Sequence, residues 1–159
     1  MHSRRLALAT IVLAFWAVPF SSARAQDAQS RLWDASISGD TAAITIALSE
    51  GASIDSLDTR RSVNGRRALN WAAWNNRVPA LRLLLARGAS INATNRTGFT
   101  ALHHAAESGS DDALKFLLEA GADWTIPSTE GSYPVDTARL HANLGAVALL
   151  ENAEKKKAN

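Results

Sequence analysis

The chain has 159 residues, a length suited to one domain with a core of its own. Its 17 lysines and arginines against 15 acids leave a net charge of +2, and the absence of cysteine excludes a disulfide-stapled scaffold.

Residues 1–25 read as a leader. His2, Arg4 and Arg5 precede the apolar run LALATIVLAFWAV, and Ala23-Arg24-Ala25 supplies small residues at an A-x-A cleavage site before Gln26. The run from Leu6 to Val18 is shorter than the roughly 20 residues that span a bilayer, so removal is expected rather than anchoring. Ser3-Arg4-Arg5-Leu6-Ala7-Leu8 also loosely resembles a twin-arginine export signal, which leaves the export route open. Arg4, Arg5 and Arg24 leave with the leader, so the remaining 134 residues carry a net charge of −1. The expected compartment is a bacterial periplasm, with secretion from the cell as the alternative.

Beyond the leader one pattern recurs. RALNWAAWNN, TALHHAAESG and YPVDTARLHA stand 33 residues apart, as do Gly65, Gly98 and Gly131. Apolar columns keep the same spacing: Leu69, Leu102 and Val135; Ala72, Ala105 and Ala138; Leu81, Leu114 and Val147; Leu84, Leu117 and Leu150. An earlier unit joins through Leu32, Ala35, Gly39, Ile44, Ala47 and Gly51. Four units follow, at about 28–60, 61–94, 95–127 and 128–153, with a basic tail at 154–159.

Within a unit, ALHHAAES has small or apolar residues at the i, i+3, i+4 spacing of a short helix, ended by Gly109. Ser110 is placed to cap the next helix, and Asp111 and Asp112 complement its dipole. That helix turns Ala113, Leu114, Leu117 and Leu118 inward and stops at Gly121. The polar linkers are too short for another helix and predict turns or hairpins. From Gly51 to Gly65 the linker runs 14 residues where Gly88 to Gly98 runs 10, so the first hairpin is expected to project further.

Thr100, Leu102, His103, Ala105, Ala106, Gly109, Leu117, Leu118, Gly121, Ala122 and Asp123 together resemble the ankyrin repeat, over roughly residues 31–151. The resemblance implies an all-α ankyrin-repeat solenoid of about four helix-turn-helix units with short hairpin loops. It also implies a structural, hydrogen-bonding role for His103 and partners that are proteins. Ala68 and Ala101 depart from the usual proline and Asn76 from the inter-helix glycine, while the first and last units are degenerate, as terminal repeats are.

Catalytic and metal patterns are missing: no phosphate-cradling glycine loop, no G-x-S-x-G elbow and no paired-histidine motif on one helix face. Adjacent His103 and His104 diverge on a helix. No enzyme activity, cofactor, metal or small-molecule substrate is expected.

Charge is segregated instead. Arginines 60, 61, 66, 67, 77, 82, 87 and 96 occupy a stretch without acids, and seven acids lie between Glu107 and Asp136 against Lys115 alone. Stacked as neighbouring slabs, these become adjacent stripes able to steer a partner. Trp71 and Trp124 fall in columns that predict packing. Trp74 shares a column with Ile37, Glu107 and Leu140, which predicts an exposed aromatic facing the groove, with the composition of an interface hot spot.

The expected function is therefore that of a monomeric, periplasmic protein-binding module, an accessory or immunity factor for an exported protein. Its expected contacts are Arg60, Arg61, Arg66, Trp74, Asn75, Arg96, Phe99, Glu107 and Ser108, with Ser132, Arg139 and Leu140 at the far end. The alternative is an anionic polymer or nucleic acid held by the arginine-rich second unit.

Overall fold

The protein is described by a computed structural model, covering the backbone of residues 18–158 and the side chains of 24–156. Most of the expected leader lies outside the described residues. Among those described there are eight helices and no strands, in antiparallel pairs: α1 (Val18–Ser38) with α2 (Thr41–Ser49), α3 (Ala68–Trp74) with α4 (Val78–Ala86), α5 (Ala101–Ser108) with α6 (Asp111–Glu119), and α7 (Pro134–Leu140) with α8 (Leu144–Ala158).

The pairs stack in chain order: α3 packs on α1 and α5, and α5 on α7, while α4 packs on α2 and α6, and α6 on α8. The residue types explain the stacking. Inner helices bury alanines, including Ala68, Ala72, Ala73, Ala101, Ala105, Ala106 and Ala138, whose small side chains let helix axes approach. Leu81 and Leu84 on α4 and Leu114 and Leu117 on α6 fill the space between the layers and are fully buried. A unit alone could not cover these faces, so each slab supplies the solvent shield of the next.

The turn between paired helices needs a left-handed residue, and the column is Gly39, Asn76, Gly109 and Ala142, with φ of 86°, 56°, 68° and 55°. Asn76 uses its side chain here: Oδ1 accepts from Ala113 N–H (2.8 Å) and Nδ2 donates to Asp112 (3.2 Å), tying the turn of one unit to the helix of the next. Asn143 does the equivalent on α5, donating to the carbonyls of Ala106 and Glu107.

One expectation is corrected. Ser110 stands at the N-cap position of α6 but makes no side-chain cap bond: it is buried, and its hydroxyl donates to the Trp74 carbonyl at 2.9 Å, bridging units instead. α1 includes Ala25-Gln26, where the residues from Arg24 to Asp27 are exposed and Ala28 is fully buried. At the other end α8 runs to Ala158, through the lysines of the basic tail.

Candidate functional site

Between helix pairs the chain turns through short hairpins closed by a polar corner residue. Asn95 N–H donates to the Phe99 carbonyl (2.9 Å) and Ser128 N–H to the Ser132 carbonyl (2.8 Å), while the Asn95 Oδ1 and Ser128 Oγ accept N–H groups inside the turn. Asp58 plays this part in the first hairpin, exchanging both backbone hydrogen bonds with Arg66. The four extra residues are thus gathered between Asp58 and Arg66, with Val63 exposed at the tip.

Adjacent fingers are laced by their main chains. Arg96 N–H donates to Asn64 O at 3.1 Å, and one unit on, Thr129 N–H donates to Thr97 O at 3.0 Å. Below them, Asn70 and His103 make the same reach: Asn70 Nδ2 donates to Phe99 O (3.4 Å) and His103 Nε2 to Ser132 O (3.1 Å). Since the Thr100 N–H donates to His103 Nδ1 (3.1 Å), Nε2 carries the proton. His103 therefore has the structural role its position implied. Burial lowers its pKa, against the opposing pull of the Ser132 carbonyl.

The fully buried carboxylate of Asp58 is the strongest polar node. Arg60 donates through Nε (2.8 Å), Nη2 (3.0 Å) and its backbone N–H (3.1 Å), and Trp71 Nε1 donates at 3.1 Å. Burial opposes its charge, yet the hydrogen bonds and charge of Arg60, with help from Trp71, hold it below the usual carboxylate range. Arg60 in turn stays charged more firmly than a free arginine because of Asp58 and Asp34.

Three fingers and α5 enclose a cleft of about 270 Å³. Arg66 forms one wall, its guanidinium 4.1 Å from the Trp74 ring centre and 4.6 Å from that of Trp71. Glu107 lies 3.9 Å from Arg66 and 3.4 Å from His104 Nδ1. Phe99 stacks on His103 at 4.9 Å and tilts against His104 at 5.6 Å. His104 is only 3% exposed, and neither ring nitrogen has a hydrogen-bond partner among the described residues. Burial lowers the pKa of His104 and of Arg66, whereas His104 and Arg66 together pull Glu107 down against the effect of its burial.

Of the expected contacts, Arg66, Phe99 and Glu107 line this cleft. Trp74 backs it: the side chain is half-buried, roofed by Arg66 and edge-on to His104 at 6.2 Å, which corrects the expectation of an exposed aromatic. Asn75 ends α3 by donating to Trp71 O, and Ser108 donates to His104 O. Ser132 presents its carbonyl to His103. Arg60 and Arg61 fold back toward Asp34, at 2.9 and 3.7 Å, so they are not free fingers. Arg96 remains exposed, donating to Val63 O at 2.6 Å. Arg139 pairs with Glu151 and Asp136, while neighbouring Leu140 is 82% exposed, both away from the cleft. Sequence reasoning missed Asn64, Thr97, Glu130 and His104 in the lining and Asp58, which closes the first finger. Aligning the hairpin corners Asp58, Asn95 and Ser128 would have found the last.

Other proteins share this arrangement in sequence. The chain is 34% identical over 97 residues to the B-cell lymphoma 3 protein homolog of Mus musculus, covering 61% of this chain and 21% of that protein. It is 41% identical over 68 residues to Palmitoyltransferase AKR1 of Lachancea kluyveri, 43% of this chain and 9% of the relative. Inversin of Gallus gallus matches at 34% over 86 residues, 54% of this chain and 8% of the relative. The chain thus spans about a fifth or less of the length of these relatives, all of them eukaryotic. A family model described as ankyrin repeats, in three copies, matches residues 32–128. With that match over more than half its length, and with four stacked helix pairs joined by laced hairpins, the chain belongs to the ankyrin-repeat family.

Proposed function

We propose that this protein is a protein-binding module, exported to a periplasm, whose partner docks in the concavity formed by the hairpin fingers and the inner helices. Ankyrin repeats generally mediate protein–protein interaction. The observation that supports a docking surface in this chain is the cleft at Arg66, Phe99 and Glu107, walled by three mutually hydrogen-bonded fingers. Such lacing fixes the surface before a partner arrives, so little ordering entropy is lost on binding. The leader-like segment supports export, and within the periplasm an accessory or immunity role toward another exported protein fits a monomeric binder. No catalytic role is proposed: the relatives that bear enzyme names, a palmitoyltransferase and Tyrosine-protein kinase HTK16 of Hydra vulgaris, share only 9% and 15% of their length with this chain.

The test is partner capture from a periplasmic extract by wild-type protein and by Trp74→Ala combined with Arg66→Ala. The double variant should lose affinity about a hundredfold or more while its circular dichroism is unchanged. Undiminished capture would refute the groove.

A further inference from the structure

We infer that the Arg66 cleft is a seat for a carboxylate, so that the protein segment entering the groove is acidic at that position. The inference rests on the groove reading above and adds the partner's chemistry. Arginine carries five N–H donors and no acceptor. Among the described residues, no acceptor meets the Arg66 guanidinium within hydrogen-bond distance, and Glu107 stops at 3.9 Å. Yet the side chain is only 20% exposed, and the Trp71 and Trp74 rings fix the guanidinium in place. A guanidinium that is largely desolvated, held by two aromatic faces and left without acceptors is set up for a planar, two-oxygen acceptor supplied from outside.

The surroundings agree with an anion. Arg96, on the next finger, is exposed and spends its one described side-chain hydrogen bond on a carbonyl, so its charge has no carboxylate beside it among the described residues. Arg60 and Arg61, by contrast, are already neutralised by Asp34 and Asp58. Glu107 does not fill the seat: at 3.9 Å it stops short of a hydrogen bond to the guanidinium, so the Arg66 donors stay open to a carboxylate from outside. Glu130, also in the lining, repels a second acid and so limits where along the groove the acidic residue falls.

The experiment is a titration of the folded chain, by NMR of arginine Nε–H resonances, with acetyl-hexaglutamate. Hexalysine and the oligonucleotide dT6 serve as comparators. The Arg66 resonance is assigned by its loss in Arg66→Lys, and Arg87→Gln controls for charge. Hexaglutamate should shift the Arg66 resonance, bind at least tenfold more weakly to Arg66→Lys and Arg66→Gln, and bind undiminished to Arg87→Gln. Preference for hexalysine, tighter binding of dT6, equal binding by Arg66→Gln, or no shift at millimolar peptide would each overturn the carboxylate seat. If captured partner still binds through the groove when hexaglutamate fails, only this inference falls.

Discussion

Ala142 holds a left-handed conformation, φ 55°, at the position where Gly39 and Gly109 sit in other units. A Cβ there costs roughly 1–2 kcal/mol, while glycine would loosen the unfolded chain by about 0.5–1 kcal/mol. Ala142→Gly should therefore stabilise the protein by about 0.5 kcal/mol in urea denaturation. Asp58 is the opposite case. Removing it leaves Arg60 without its closest acceptor and the Trp71 indole N–H unsatisfied, so Asp58→Ala should cost about 3 kcal/mol. Its lowered pKa means the folded state releases its proton more readily than the unfolded state, where the value is about 3.9. The stabilisation is thus complete above that pH and fades as pH falls through the folded value; Asp58→Asn should flatten the acid limb of a thermal-midpoint curve. Ala142 was legible in the 33-residue register. Asp58 was hidden from that register, because the insertion after it displaces its column from Asn95 and Ser128 by four residues, and only an alignment of the hairpin corners recovers it.

At the scale of elements, each finger works only if its neighbour lies close. Gly98 has φ 79°, and a Cβ on it would stand 2.7 Å from Thr129 N, in the backbone of the next finger. Gly98→Ala should cost about 2–3 kcal/mol by combining left-handed strain with a clash that no side-chain rotation relieves. It should also break the Thr129–Thr97 hydrogen bond, read as faster amide exchange at Thr129. Helix α5 contributes a pH dependence. His103 and His104 both have pKa values lowered by burial, so the unfolded state, near 6.5, takes up protons the folded state refuses. Their effect leaves stability intact above about pH 6.5 and erodes it below. The thermal midpoint should fall between pH 7.5 and 5.5, and His104→Phe should reduce that fall. Helix positions were readable because burial repeats with the period: Ala72, Ala105 and Ala138 are all fully buried. Side-chain direction at the groove was harder, since the Trp74 column holds Ile37, Glu107 and Leu140, and its exposure changes with what each neighbouring finger lays over it.

Across the whole molecule, the stripe of arginines and the stripe of acids are partly spent on each other and on the first unit. Arg66 faces Glu107 across units, Asn76 reaches Asp112, and Arg60 and Arg61 turn to Asp34. Linear charge runs gave the stripes but not this pairing, because the inserted hairpin brings its arginines back over α1. Under the proposed docking, what remains for a partner is narrower than the sequence suggested: a cleft lined by Arg66, Phe99 and Glu107, with Arg96 exposed on the second finger. Its rigidity comes from the stack, and its identity from a few side chains. The most direct measurement places a photo-crosslinking amino acid at Asn64 or Thr97 in the groove, and at Glu119 on the outer helix α6, in cells that produce the full chain. The docking account predicts a discrete crosslinked protein species from the two groove positions and none from Glu119. Crosslinks from Glu119 alone would contradict it.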